Sequence, residues 1–176
     1  PRDISDFAGL ARSLTKTVIL AMQAHWAAML VPDLDKGRFV AATTDAQQSA
    51  PEIWIGQNSA LVRWLSRNEQ ALSITTIELD PYLQAIGDAQ RQNLHSSGAQ
   101  LFVPMKYKGK LTGILVLGPK LSEQDYSRDD IALLTTVASQ AATLVENSHR
   151  YSQEGARSRE LEQLENLKSN LLRTVS

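Results

Sequence analysis

The stretch from Ala99 to Gly118 constrains the fold more than any other part of the chain. Leu101, Val103 and Met105 alternate with their neighbours and share one face of a strand, Lys108-Gly109 fits a two-residue turn that needs positive φ, and Leu111 to Leu117 returns apolar on both faces. A strand apolar on both faces lies in the interior of its sheet with other elements packed above and below it. An antiparallel sheet at the centre of an α+β domain follows, and 176 residues suffice for one such core. Gly113, inside the second strand, suits either the close approach of another backbone or a ligand, or room for a packed helix. Pro104 cannot donate to a ladder, so it marks the end of its strand or an unpaired position.

Around this hairpin the patterning is mixed. Ile4 to Met22 carries Phe7, Leu10, Leu14, Val18 and Met22 at helical spacing, which predicts an amphipathic first helix. His25 to Val31 reads as a strand that Pro32-Asp33 breaks, with a turn at Asp35-Lys36-Gly37 and a return strand from Arg38 to Thr44. Asn58 or Ser59 can cap a helix with Leu61, Val62, Trp64 and Leu65 inward. A short strand over Ala71 to Thr75 and a helix from Pro81 to about Leu94, ended by Ser96-Ser97-Gly98, complete the interposed segment. Ser127 and Asp130 form a near capping box, and Tyr126 can staple against Ile131, at the start of a helix running to Tyr151. Beyond Glu146 it turns polar, with two heptad-like runs, Val137, Ala141, Leu144, Ser148, Tyr151 and Leu161, Leu164, Lys168, Leu171, Val175, out of register around Gly155 to Ser158.

Composition removes several function classes. The 18 basic and 19 acidic residues are spread along the chain and leave a net charge of −1, so nothing attracts nucleic acid or an anionic membrane. The absence of cysteine excludes a disulfide framework, a thiolate zinc site and a thioether-linked cofactor, and suits a cytoplasmic location. The longest apolar run, Trp26 to Val31, is far short of the roughly 20 residues of a membrane helix, so no membrane contact is expected of this chain. Pro1 without a charged and apolar leader behind it reads as the start of a fragment and not as a signal peptide. No metal-ligand spacing, nucleophile-and-base set or phosphate loop is present, so neither a catalytic residue nor a metal site is assigned.

The segment GAQLFVPMKYKGKLTGILVLGPKLSEQDYSRDDIALLTTVASQAATLVENSHRY, Gly98 to Tyr151, resembles GAF domains: a small residue before an apolar strand, a Gly turn, a Gly-containing aliphatic strand, then an aromatic-Ser-x-x-Asp step into the last helix. The resemblance extends over most of residues 4 to 151. It implies a central antiparallel sheet with flanking helices and a long C-terminal helix extending into a coiled coil, divided as a sensory domain at 1–151 and a helical signalling linker at 152–176. The closing run LKSNLLRTVS resembles the opening of the dimerisation and phosphoacceptor helix of bacterial sensor histidine kinases, where His-Glu-Leu-Arg-Thr-Pro follows, so the histidine would be residue 177. The resemblance implies a non-catalytic input domain of a two-component histidine kinase, a homodimer through its first and last helices. Two alternatives stand beside it: the input domain of a nucleotide cyclase or transcription activator, and a ligand-free structural dimerisation module.

GAF domains resemble one another in fold while binding cyclic nucleotides, tetrapyrroles, haem, other small molecules or nothing, so the fold names no ligand and no cofactor. Bilin attachment and sulfoxide reduction in the family use cysteines, which this chain lacks. Pro119-Lys120, Tyr126 and Asp129-Asp130 match a nucleotide-binding signature only without its Asn, and read as helix anchoring. Haem would need His25, His95 or His149 as an axial ligand. The resemblance leaves a small-molecule pocket between the sheet and the segment Trp54 to Leu94, with Trp54, Trp64, Tyr82, His95 and Phe102 as candidate walls. Trp54, in a loop-like Pro-Glu-Ile-Trp-Ile-Gly context, and Tyr82 stand out, while Trp64 and Phe102 also suit a plain core.

Overall fold

A computed structural model describes residues 2–42, 50–150 and 154–175, with side chains described over 7–42, 50–147 and 162–173. Helix α1 (Arg2–Met22) leads into β1 (Ala27–Asp33) and β2 (Arg38–Ala41), followed by β3 (Trp54–Gly56), α2 (Ala60–Arg67), β4 (Leu72–Ser73) and α3 (Ile74–Leu79). A 3-10 helix over Leu83–Ile86, α4 (Asp88–Ser97), β5 (Leu101–Tyr107), β6 (Lys110–Leu117), α5 (Arg128–Arg150) and α6 (Glu154–Val175) complete the chain. The six strands form one sheet in the order β3-β2-β1-β6-β5-β4, with every pairing antiparallel. This is an α+β fold, and the strand apolar on both faces, β6, lies inside the sheet between β1 and β5.

Strand alternation divides the core in two. Met29, Leu101, Val103, Met105, Leu115 and Leu117 point to the face covered by α1 and α5. Leu30, Phe102, Ile114 and Val116 point to the other face, under α2, α3 and α4. The hairpin turn forms at Lys108 and Gly109, whose φ values of 51° and 78° are those of the expected two-residue turn. Of the two expectations at Gly113, the close approach of another backbone is the one found and the packed helix is not: a Cβ there would lie 3.1 Å from the Leu30 carbonyl oxygen of β1 and 3.3 Å from Met105 Sδ of β5.

The two prolines sit within strands. Pro104 lies mid-way along β5, opposite Ile114, and β4 pairs with β5 only at Leu72 and Ser73, so no partner strand seeks its missing N–H. Pro32 likewise does not break β1, which continues to Asp33, because β6 pairs with β1 only over Ala27 to Leu30. The expected strand over Ala71 to Thr75 shrinks to Leu72–Ser73, since the Ser73 hydroxyl accepts from the Thr76 N–H at 3.2 Å and starts α3 there. The helix expected from Pro81 to Leu94 is divided at Gly87, whose φ of 90° is incompatible with a helix. Ser59 caps α2 as the pattern requires, accepting from the Val62 N–H at 3.3 Å.

The capping box at the start of α5 closes reciprocally: the Asp130 N–H donates to Ser127 Oγ at 3.0 Å and the Ser127 N–H to Asp130 Oδ2 at 2.9 Å. Tyr126 and Ile131 both pack on the α1/α5 core, and the Tyr126 hydroxyl donates to the Gly118 carbonyl at 2.6 Å, fastening the helix start to the end of β6. Lys120 Nζ lies 2.5 Å from Asp130 Oδ2. Val137, Ala141 and Leu144 of α5 are buried on the same core.

The last helix departs from expectation. Instead of leaving the domain, α6 packs against both α1 and α5 and buries Leu164, Leu167 and Leu171 in their shared core. A continuation of α5 would carry Leu171 about 40 Å beyond the buried Val145 at 1.5 Å per residue, so α6 runs back along α5. Leu164 and Leu171, members of the second heptad-like run, therefore find their cover within the chain itself and not in a coiled-coil partner. Leu167 takes the inward place that the heptad reading gave to Lys168, which is half-exposed and 3.6 Å from Glu165. Ser148, Tyr151, Leu161 and Val175, the other members of those runs, have side chains outside the described residues. Among the described residues no helix is long and apolar enough to cross a membrane.

Candidate functional site

A cleft of about 580 Å3 is built entirely from residues between Ile74 and His95, that is, by α3, the 3-10 helix and α4. Ile77, Leu83, Ile86 and Leu94 form its apolar floor, with Ile74 beside them. Glu78 and Asp88 are acidic members of its rim, Arg91 and His95 basic ones, and Gln84 and Gln92 neutral ones. Arg91 donates from Nη2 to the Gln84 carbonyl oxygen and lies 3.8 Å from Asp88, so the guanidinium ties α4 to the 3-10 helix. An apolar floor with a few polar handles is the ordinary constitution of a small-molecule site.

Helix α4 presents two working faces. Asp88, Arg91, Gln92 and His95, at helical spacings of three and four, lie on the cleft. Gln90 and Asn93 face the sheet edge. The Gln90 amide accepts from the Gly56 N–H and donates to the Trp54 carbonyl, each at 2.7 Å. Asn93 accepts from the Trp54 N–H and donates to the Glu52 carbonyl, each at 3.1 Å. Two side-chain amides thus pair with edge strand β3 as a seventh strand would, and Gln90 is buried to 3% exposure in doing so. Four hydrogen bonds thus tie α4 to residues 52–56 at the sheet edge.

Of the five candidate wall residues, His95 stands on this cleft. Tyr82 lies nearby in the chain, 46% exposed, its hydroxyl accepting from Arg63 Nε at 3.2 Å. Trp54 lies on β3 and not in a loop, with the Arg38 guanidinium 4.2 Å above its ring centroid. Trp64 is half-buried on α2 and packs on the second core. Phe102 is a fully buried member of that core, together with Leu61, Leu65 and Leu72. Phe102 fills the space beneath α2 together with Leu61, Leu65 and Leu72, and the cleft opens within the interposed segment itself. The i, i+3, i+4, i+7 set Asp88, Arg91, Gln92, His95 was the available sequence signal for it, on a helix whose other face is held to the sheet edge by Gln90 and Asn93.

A second, more polar depression of about 330 Å3 lies where Ser73, Gln100, Lys120, Gln124 and Tyr126 meet. Lys120, Tyr126 and Asp130 are engaged with one another and with Gly118, which makes them anchors of α5. Burial and the Asp130 charge push the Tyr126 hydroxyl well above the ordinary phenol range. Burial by itself would raise the Asp130 carboxyl, but the hydrogen bonds from Lys120 and from the backbone and hydroxyl of Ser127 outweigh it and hold the group below its ordinary 3.8. A carboxyl lowered on folding stabilises above its unfolded pKa and loses that contribution as pH falls through the folded value. Urea midpoints of the parent chain are therefore expected to fall as pH drops below about 4, and Asp130→Asn to flatten that limb; an unchanged acid slope in the variant would remove Asp130 from the account.

Among the described residues no group of three or more His, Asp or Glu side chains is placed to share a metal ion. His25 is exposed in the connection between α1 and β1, His95 lines the cleft rim, and the His149 side chain lies outside the described residues.

A family model described as GAF domain matches residues 5–146. No curated protein matches the chain. Among solved structures, the chain is similar to a GAF domain/HD domain protein from Geobacter sulfurreducens, at 17% identity and TM-score 0.64 over 84% of this chain and 97% of the other. It is similar also to residues 122 to 287 of a methyl-accepting chemotaxis protein, at 12% identity and TM-score 0.62 over 86% and 94%. A domain of a putative two-component sensor histidine kinase protein from Sinorhizobium meliloti 1021 aligns at 12% identity and TM-score 0.54 over 80% and 91%. At these identities the likeness is one of fold.

Proposed function

Because the chain belongs to the GAF domain family, we propose that it is the sensory input module of a signalling protein, that it performs no catalysis itself, and that its parent is a two-component histidine kinase of the cytoplasm. One observation carries the sensory part: α4 is at once a wall of the cleft and the helix clasped to strand β3. A small molecule seated on Ile77, Leu83, Ile86 and Leu94 and held by Arg91 or His95 biases the position of α4, and the clasp passes that bias to the sheet that supports α1 and α5. In this reading residues 1–151 sense, residues 152–176 transmit, and the module works as a homodimer through its first and last helices.

The kinase assignment is supported by the run LKSNLLRTVS and by the Sinorhizobium meliloti neighbour. The chemotaxis-protein neighbour supports the rival in which the same module feeds another output. The parent reading frame separates them: His-Glu-Leu-Arg-Thr-Pro directly after Ser176 is expected, and any other continuation removes the kinase.

The ligand site has its own test. Native mass spectrometry of the chain purified from its own host is expected to show a retained small molecule, and Arg91→Ala combined with His95→Ala to lose it at least tenfold. Both side chains are exposed, so stability is expected to change by less than about 0.5 kcal/mol. A molecule retained equally by the double variant would move the site off this cleft.

A further inference from the structure

We propose that the groove between α1 and α5 is an acceptor site for helix α6 of a second copy of this chain, and that the folded-back α6 is the same site filled from within. Leu164, Leu167 and Leu171 enter the core that holds Leu14 and Val18 of α1 and Val137 and Ala141 of α5. The spacing of three and four makes one narrow stripe, while Glu162, Gln163, Glu165, Asn166, Ser169 and Asn170 remain either solvent-facing or outside the buried set. One apolar stripe holds α6 in place. With α6 seated, the exposed residues among the described side chains of α1 are Arg12, Lys16 and Leu20, a single strip one turn apart at each step.

A seat that fits α6 of its own chain fits the identical helix of another with the same contacts. The two arrangements then differ in which copy's α5 precedes the seated α6 and in the entropy of association, the usual condition for exchange of an element between protomers. The same three leucines cannot face this groove and a partner's α6 together. The folded-back state therefore excludes a parallel α6 coiled coil, and the chain holds a two-state element that a shift of α5 against α1 can bias. Gly155, in the first turn of α6, disfavours a continuous α5–α6 helix by about 1 kcal/mol relative to alanine. The inference rests on the signalling reading for its purpose and not for its geometry: a missing ligand leaves the seat intact, and a missing seat leaves the ligand question open.

Two measurements on the full chain test it. Deleting Tyr151, Ser152 and Gln153 joins α5 directly to α6, a connection too short for α6 to fold back on its own α1 and α5, so it can reach only another copy's groove. Sedimentation at micromolar concentration is expected to give twice the chain mass, returning to one chain when Leu164→Asp and Leu171→Asp are added. In the second arm, the full chain carrying Leu164→Asp, Leu167→Asp and Leu171→Asp has an empty seat. It is expected to bind a synthetic peptide of residues 154–175 at least tenfold more tightly than the parent chain does. A folded deletion variant that stays monomeric, a dimer that survives the aspartates, or a folded empty-seat variant that ignores the peptide overturns the proposal.

Discussion

Phe102→Ala is expected to lower the free energy of unfolding by about 3–5 kcal/mol, the largest effect of any single truncation considered. The ring is fully buried on the β5 face under α2, in one core with Leu61 and Leu65 of that helix, Leu72 of β4 and Val116 of β6. Phe102 is register partner to both Leu72 and Val116, so it is held from two strands and the void left by its removal cannot collapse without disturbing the sheet. A ligand-wall role makes the opposite forecast, since truncating a side chain that faces an open pocket costs little and enlarges the pocket. Urea unfolding distinguishes them: a loss below about 1 kcal/mol would return Phe102 to the list of binding residues.

Gln90→Leu is expected to cost about 2–4 kcal/mol, although leucine is close in size and better at filling an apolar site. The substitution leaves the Gly56 N–H and the Trp54 carbonyl without the partners they have in the sheet edge, and each half-buried orphan costs about 1–3 kcal/mol. Asn93→Ala removes the outer half of the clasp, where water can replace the lost partners, and its cost is expected to be the smaller of the two. Hydrogen exchange supplies the local readout. The Gly56 amide is expected to lose protection in Gln90→Leu before the amides of β1 and β6 do. If it stays protected while stability is unchanged, Gln90 does not hold the edge strand, and the route proposed from cleft to sheet is lost.

The two substitutions bear on different links of one chain of cause. Phe102 belongs to what makes the sheet a sheet, and Gln90 to what lets a helix at a cleft move it. Proteins with this division are expected to tolerate changes on the exposed cleft face of α4 while being sensitive to its clasped face, because only the second carries buried backbone groups.

The amino-acid sequence by itself determined those features whose physics is local. The turn at Lys108-Gly109 follows from two residues that accept positive φ, the starts of α2 and α5 from Ser59 and from Ser127 with Asp130, and the interior position of β6 from apolar residues on both its faces. Each of these is decided within a few residues, where propensity and hydrogen bonding leave few alternatives. Tertiary structure decided the rest. Trp54 became an edge strand because Gln90 and Asn93, more than thirty residues away, supply the partners that a third strand needs. Pro32 and Pro104 were allowed inside strands because the neighbouring strand on the relevant side is too short to seek their missing N–H. The cleft formed where α3, the 3-10 helix and α4 meet, while Phe102, one of the rings expected to line a pocket, joined the core beneath α2. Helix α6 shows the difference most clearly. Its apolar stripe is legible in the sequence, but a stripe states only that something must cover it, and the choice between a partner's helix and the groove of α1 and α5 belongs to long-range packing, which no local pattern encodes.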